Sequence, residues 1–240
     1  MENLSKRLSN WIENKVIEAK AKGVVLGLSG GIDSAVIAIL CKKVFLENTL
    51  ALVMPCHNIN KDIEDALGLV KKFNISYKII DLSEIYDSFI SLIETKEKKT
   101  DFKLAKANIK PRLRMITLYY FANKLNYLVI GTGNKSELMV GYFTKYGDGG
   151  VDILPLGNLL KSQIIELAEY LEIPQKIIQK PPSAGLWEGQ TDEGEMGISY
   201  GQLDKYIKTG QLDNQGVEEK IQKKIILSKH KRNTPEIPDF

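Results

Sequence analysis

Cysteine and histidine are nearly absent: the 240 residues contain two of each. Cys41 and Cys56 are too few for a disulfide framework or a cysteine zinc site. Their apolar neighbours predict two buried thiols in a reducing cytoplasm, where disulfides are rare. His57 has no partner visible in the sequence and reads as a loop histidine rather than a catalyst. No apolar run is long enough to span a membrane. The first residues, MENLSKRLSNWIENKV, do not form a signal peptide; they space Leu4, Leu8, Trp11, Ile12 and Val16 along one face of an amphipathic helix. An excess of one charge is lacking too. With 33 basic and 30 acidic residues the net charge is +3, too balanced to predict a nucleic acid or a membrane as partner, although KHKR at 229–232 can hold an anion. There is no internal repeat and no low-complexity segment, so a single domain over 1–240 is the simplest expectation.

What the chain does have is an organising stretch at 24–34, VVLGLSGGIDS. An apolar run of strand composition meets a Ser-Gly-Gly turn, and SAVIAILCKKVFL at 34–46 follows as a helix apolar on most sides. The adjacent Gly30 and Gly31 permit backbone conformations closed to other residues and leave room for a bulky group. A helix beginning near Asp33 or Ser34 aims free N–H groups and its positive dipole end into that space, which suits a phosphate. Asp33 would repel a phosphate unless a cation lay between them, so it reads as a magnesium ligand. The two commoner phosphate loops are excluded. No Gly-Lys pair precedes Ser34, and Ser29 and Ile32 occupy the second and third glycine positions of G-x-G-x-x-G.

Strands and helices alternate around this turn. LALVMP at 50–55 and YKIID at 77–81 read as strands, separated by a helix from Lys61. Another helix spans Leu82 to Ile93, with apolar spacing at Ile85, Phe89 and Ile93. TKEKKTDFK at 95–103 is dense in charge and reads as a solvated loop. Pro111 either kinks the helical stretch LAKANIKPRLRMITLYYFANKL or starts a new helix at its first position. YLVIGTGN at 127–134 is a fourth strand entering a glycine-rich turn. The pattern predicts an α/β fold, a doubly wound and mainly parallel sheet with helices on both faces. Ligands of such sheets bind beyond the carboxyl ends of the strands, so the turns at 29–34 and 131–137 are expected to face one crevice. From 141 to 201 the chain is loop-rich, with one helix at about 158–171. Helical spacing then returns at Val217, Ile221 and Ile225.

SGGIDS after a hydrophobic strand resembles the pyrophosphate loop of the ATP pyrophosphatases, the PP-loop family, which split ATP into AMP and pyrophosphate. Five further segments extend the likeness: NIKPR (108–112), GTGNKSE (131–137), GYFTKYGDGGVDILPL (141–156), KPPSAGLWEGQTDE (180–193) and HKR (230–232). In order and spacing they resemble ammonia-dependent NAD synthetases, over nearly the whole chain from Val24 to Arg232. GMP synthetases and several tRNA-modifying enzymes share SGGIDS, whereas FTKYGDGG together with PPSAGLWEGQTDE is highly specific. Residue 111 is proline where the family more often has alanine.

The resemblance implies a Rossmann-like sheet of the adenine nucleotide alpha hydrolase type. It also implies a homodimeric enzyme that adenylates the nicotinate carboxylate of deamido-NAD with ATP and Mg²⁺ and then lets ammonia displace AMP. The ATP site would comprise Gly27, Leu28, Ser29, Gly30, Gly31, Ile32, Asp33 and Ser34 with Thr132, Lys161 and Ser183. Of these, Asp33, Lys161 and Ser183 are the implied catalytic groups, and Asp33 and Glu137 the implied magnesium ligands. Arg112, Lys145, Asp152, His230 and Lys231 match the deamido-NAD positions. Without the resemblance, Lys161 reads as an ordinary solvated helix lysine, Ser183 as a turn hydroxyl and HKR as a solvated basic tail. Glutamine use would need a further amidotransferase domain, which the 23 residues before the loop strand at Val24 cannot hold. The runner-up readings are another adenylating PP-loop ligase or tRNA-modifying enzyme, and last a nucleotide-binding domain without turnover. The apolar helix face at 104–125 is the expected dimer contact.

Overall fold

The computed structural model describes residues 1–57, 60–94, 102–187 and 189–240. Most of the charged stretch at 95–103 lies outside the described residues. Four strands, β1 (Gly23–Gly27), β2 (Thr49–Val53), β3 (Ser76–Ile79) and β4 (Tyr127–Ile130), form a parallel sheet in the order β3-β2-β1-β4. The helices up to β4 are α1 (Glu2–Glu18), α2 (Ile32–Val44), α3 (Asn60–Lys72), α4 (Ser83–Ile93), α5 (Lys103–Ala107) and α6 (Ile109–Leu125). After β4 come α7 (Lys135–Val140), α8 (Lys161–Tyr170), α9 (Gln175–Ile178), α10 (Asp192–Met196), α11 (Tyr200–Thr209), α12 (Gln215–Leu227) and α13 (Lys229–Arg232).

β1 and β2 are buried on both faces, because successive side chains point to opposite sides of the sheet and helices cover each. Val24, Leu26, Ala51 and Val53 pack into a core with α1, α2, α3, α8 and α9, while Val25, Leu50 and Leu52 pack with Leu118 and Ala122 of α6. A one-residue slip in register would turn both sets the wrong way. Each such side chain stabilises the fold by about 1.5–3 kcal/mol when fully buried. A third cluster, Val140, Met196, Ile198, Tyr200, Leu203 and Ile221, joins α7 to α11 and α12. Both cysteines are buried thiols, and Cys56 Sγ donates to Leu82 O at 3.8 Å.

The chain runs from β1 outward through β2 to β3, then returns to place β4 on the other side of β1. That reversal opens a crevice between the carboxyl ends of β1 and β4. Four sequence expectations need correction. The spacing of Ile85, Phe89 and Ile93 suggests an inward face, yet no residue of α4 is buried and all three of these side chains are exposed. Pro111 neither kinks a long helix nor opens a new one. The break falls at Asn108 between α5 and α6, and Pro111 sits in the first turn of α6, where a missing N–H costs no intrahelical bond. The helix expected from about 158 starts at Lys161, where Leu160 N donates to the Gln163 side chain. The phosphate-turn helix starts at Ile32, after an extended Gly31.

Candidate active site

The turn after β1 is shaped from within and from behind. Ser34 Oγ donates to Gly31 O at 2.9 Å and lies 3.1 Å from Ser29 Oγ, while Gly31 N donates to Ser29 Oγ. Gly30 has a φ of +79°, and a Cβ there would lie 2.3 Å from the backbone oxygen of Asp62 in α3, so only glycine fits. Lys180 completes the back wall: its ammonium is 2.8 Å from Asp62, 2.6 Å from Asp65 and 3.4 Å from Gly30 O.

The turn after β4 ends in Asn134, which caps α7 in a reciprocal box. Its side chain accepts from Glu137 N, and Glu137 Oε2 accepts from Asn134 N. This cap fixes Glu137 and also reaches across the crevice, since Asn134 Nδ2 donates to Asp33 Oδ1 at 3.1 Å. Lys161, at the start of α8, projects between the two acids. It pairs with Asp33 Oδ2 and lies 4.0 Å from Glu137 Oε1. Lys161 is only 3% exposed, so the solvated-lysine reading fails. Burial alone would lower its pKa, but Asp33 and Glu137 outweigh that and raise it. Glu137 is pushed up to about 8 by burial and then by the charge of Asp33, against the pull of Lys161.

A cavity of about 910 Å³ opens above this centre. Its wall takes in the phosphate turn from Gly27 to Ser34 apart from Gly30, with Thr132, Glu137, Lys161, Ser183 and Lys231. Ser183 Oγ also accepts from Gly185 N, so the hydroxyl supports its own turn. Two carboxylates around one ammonium are oxygen donors of the kind Mg²⁺ takes together with phosphate oxygens. Among the described residues no three His, Cys, Asp or Glu gather to hold a metal unaided.

Of the remaining expected residues only Lys231 is on the cavity wall, and Arg112, Lys145, Asp152 and His230 are not. Lys145 Nζ donates to His230 O at 2.7 Å, Arg112 reaches Lys145 O at 3.4 Å, and Lys231 Nζ donates to Gly141 O and Phe143 O, each at 2.8 Å. The basic tail is therefore docked, not solvated. Gly141 permits this because a Cβ there would lie 2.1 Å from Ser228 Cβ. Asp152 stands apart from these cations: Oδ2 accepts from Val129 N and Oδ1 from the Tyr119 hydroxyl. His57 pairs with Asp87 at 2.9 Å and is not on the cavity wall.

Sequence reading missed Arg114, Asp148, Lys180 and Asp192, all on the cavity wall, and Tyr200, whose hydroxyl contacts Glu137. Asn134 was detectable, because N-x-x-E ahead of a helix is a capping signature.

Similarity to known proteins follows the same lines. Residues 4–235 match the NAD synthase family. The NH(3)-dependent NAD(+) synthetase of Carboxydothermus hydrogenoformans is 51% identical over 99% of this chain and 97% of its own length. Among solved structures, the NMN synthetase of Francisella tularensis superposes with a TM-score of 0.94 at 42% identity, covering 100% of this chain and 98% of that one. The NH3-dependent NAD synthetase of Campylobacter jejuni, in complex with nitrate, superposes with a TM-score of 0.81 at 35% identity, covering 99% and 98%. With the phosphate turn, the capped Glu137 and the buried Lys161 meeting at the β1/β4 crevice, the chain belongs to the NAD synthase family.

Proposed function

We propose that the centre formed by Asp33, Glu137 and Lys161 activates ATP for the synthesis of NAD from deamido-NAD and ammonia. The observation that carries this reading is the buried Lys161 ammonium set between Asp33 and Glu137 beside the phosphate turn. A carboxylate is a poor acceptor for ammonia until one of its oxygens becomes a leaving group. An oxygen of the nicotinate carboxylate attacks the α phosphorus, the bond to the bridging oxygen breaks, and pyrophosphate departs with the bonding pair. Ammonia then adds to the activated carbonyl carbon, the C–O bond breaks, AMP leaves, and the nitrogen loses a proton to become the amide.

The charge that develops on pyrophosphate needs fixed donors already in place. Ser29, Ser34 and the backbone of Ile32 would offer them at the start of α2, together with Thr132, Lys161 and Ser183 from the rest of the cavity wall. Asp33 and Glu137 would hold Mg²⁺, which neutralises phosphate charge when bound. Arg112, Lys145, His230 and Lys231 would receive the nucleotide bearing the carboxylate, and Asp152 would orient its edge. A second copy of the chain would cover the exposed apolar face made by Phe89 and Leu92 of α4 with Ile116 and Tyr120 of α6. That gives a homodimer of one-domain subunits. Among the described residues no helix is long and apolar enough to cross a membrane.

The experiment is to incubate the protein with ATP, Mg²⁺, ammonium and deamido-NAD and to follow products. NAD, AMP and pyrophosphate in equal amounts are expected; ADP, or turnover without deamido-NAD, would refute the reading. A second reading has specific support from the close superposition on an NMN synthetase and from Lys145 and Lys231 being engaged by backbone carbonyls. On this reading the amidated acid is the mononucleotide. Comparing kcat/KM for nicotinate mononucleotide and deamido-NAD separates the two.

A further inference from the structure

Behind Glu137 lies a pair of side chains that the roles above leave unused. The Tyr200 hydroxyl is 3.2 Å from Glu137 Oε1 and 2.9 Å from Asp192 Oδ2, and the Lys161 ammonium lies 5.1 Å from the centroid of the Tyr200 ring. One phenol therefore touches the lysine with its face and both acids with its oxygen. Having a single proton, it can donate to only one carboxylate at a time.

The pair is built rigidly. Ser199 caps α11 in a reciprocal box with Gln202, and Tyr200 N donates to Glu193 Oε1 at 2.7 Å. Thr191 caps α10, and Asp192 N donates to Pro182 O, which ties the acid to the segment carrying Ser183. Asp192 is 5% exposed and lines the cavity, and the Tyr142 hydroxyl faces its carboxylate beside that of Tyr200. Asp192 is not gathered with Asp33 and Glu137 closely enough to ligate the same ion directly.

We infer that Tyr200 and Asp192 are positioning residues: Asp192 anchors the Tyr200 hydroxyl, and that hydroxyl holds the Glu137 carboxylate in the orientation that takes a divalent cation with ATP. The inference rests on the reading of Asp33 and Glu137 as cation ligands. Partners behind a metal ligand are worth about 10–100-fold in metal affinity.

The test is a titration of full-length protein plus ATP with Mn²⁺, reading free Mn²⁺ by electron paramagnetic resonance, for wild type, Glu137→Gln, Tyr200→Phe and Asp192→Asn. Circular dichroism checks each fold, and Tyr200→Phe, which removes one hydroxyl, stands in if Asp192→Asn does not fold. Weakening of Mn²⁺ binding by 10-fold or more in Tyr200→Phe and in folded Asp192→Asn is expected. Loss confined to Glu137→Gln overturns the positioning role alone. Wild-type affinity in Glu137→Gln overturns the ligand reading and this inference with it.

Discussion

Lys161 and Asp33, 128 residues apart in sequence, form a part-buried ion pair. Replacing Lys161 by Met leaves Asp33 and Glu137 facing each other without a counter-charge. A buried acid stripped of its partner costs about 3–5 kcal/mol, and loss of a preorganised donor costs about 10²–10³ in kcat. Lys161→Met is expected to lose both stability and turnover, measured by urea unfolding and steady-state kinetics. A variant of wild-type kcat would remove Lys161 from the reaction.

Glu137 gives stability a pH dependence with a definite sign. Its carboxyl is raised from 4.5 to about 8 in the folded protein, so the folded chain keeps a proton that the unfolded chain releases. The stability it contributes is full below pH 4.5 and is lost as pH rises to about 8. The Tm of metal-free wild type should therefore fall more steeply across this window than that of Glu137→Gln. Parallel curves would show that Glu137 is not held in its neutral form.

Gly30 and Gly31 should respond differently to alanine. At Gly30 the φ of +79° and the Asp62 oxygen 2.3 Å from a Cβ forbid the side chain, whereas at Gly31 the nearest atom is Ser29 Oγ at 3.3 Å. Gly30→Ala is expected to cost about 1–3 kcal/mol of stability and to raise the KM for ATP well above that of Gly31→Ala. Equal effects would mean that the packing of α3 does not set the turn.

The exposed apolar face of α4 and α6 predicts an association defect on introducing charge. Phe89→Asp or Ile116→Glu should shift the mass measured by light scattering from two subunits to one. A monomeric wild type, or variants that stay dimeric, would rule out this face as the contact.

The sheet and its phosphate turn were legible because their signals are local: apolar runs of strand length, a Gly-Gly turn, and helices apolar on most sides. The exposure of α4 was not legible, since an amphipathic stripe looks the same whether this chain or another copy covers it. The burial of Lys161 depends on where β4 returns beside β1, which no window of sequence contains. The contact of Tyr200 with Glu137 spans 63 residues, and nothing around Ile198 or Tyr200 advertises it. Lys180 sat in a recognised segment, but its ties to Asp62 and Asp65 come from α3, more than a hundred residues earlier.

The central claim is that this centre adenylates the nicotinate carboxylate, so that one of its oxygens leaves with AMP. The most direct measurement starts with deamido-NAD carrying ¹⁸O in its nicotinate carboxylate and reads the AMP by mass spectrometry. If a carboxylate oxygen attacks the α phosphorus and the C–O bond later breaks, each AMP formed carries one ¹⁸O in its phosphate. AMP free of the label, formed alongside NAD, would contradict it.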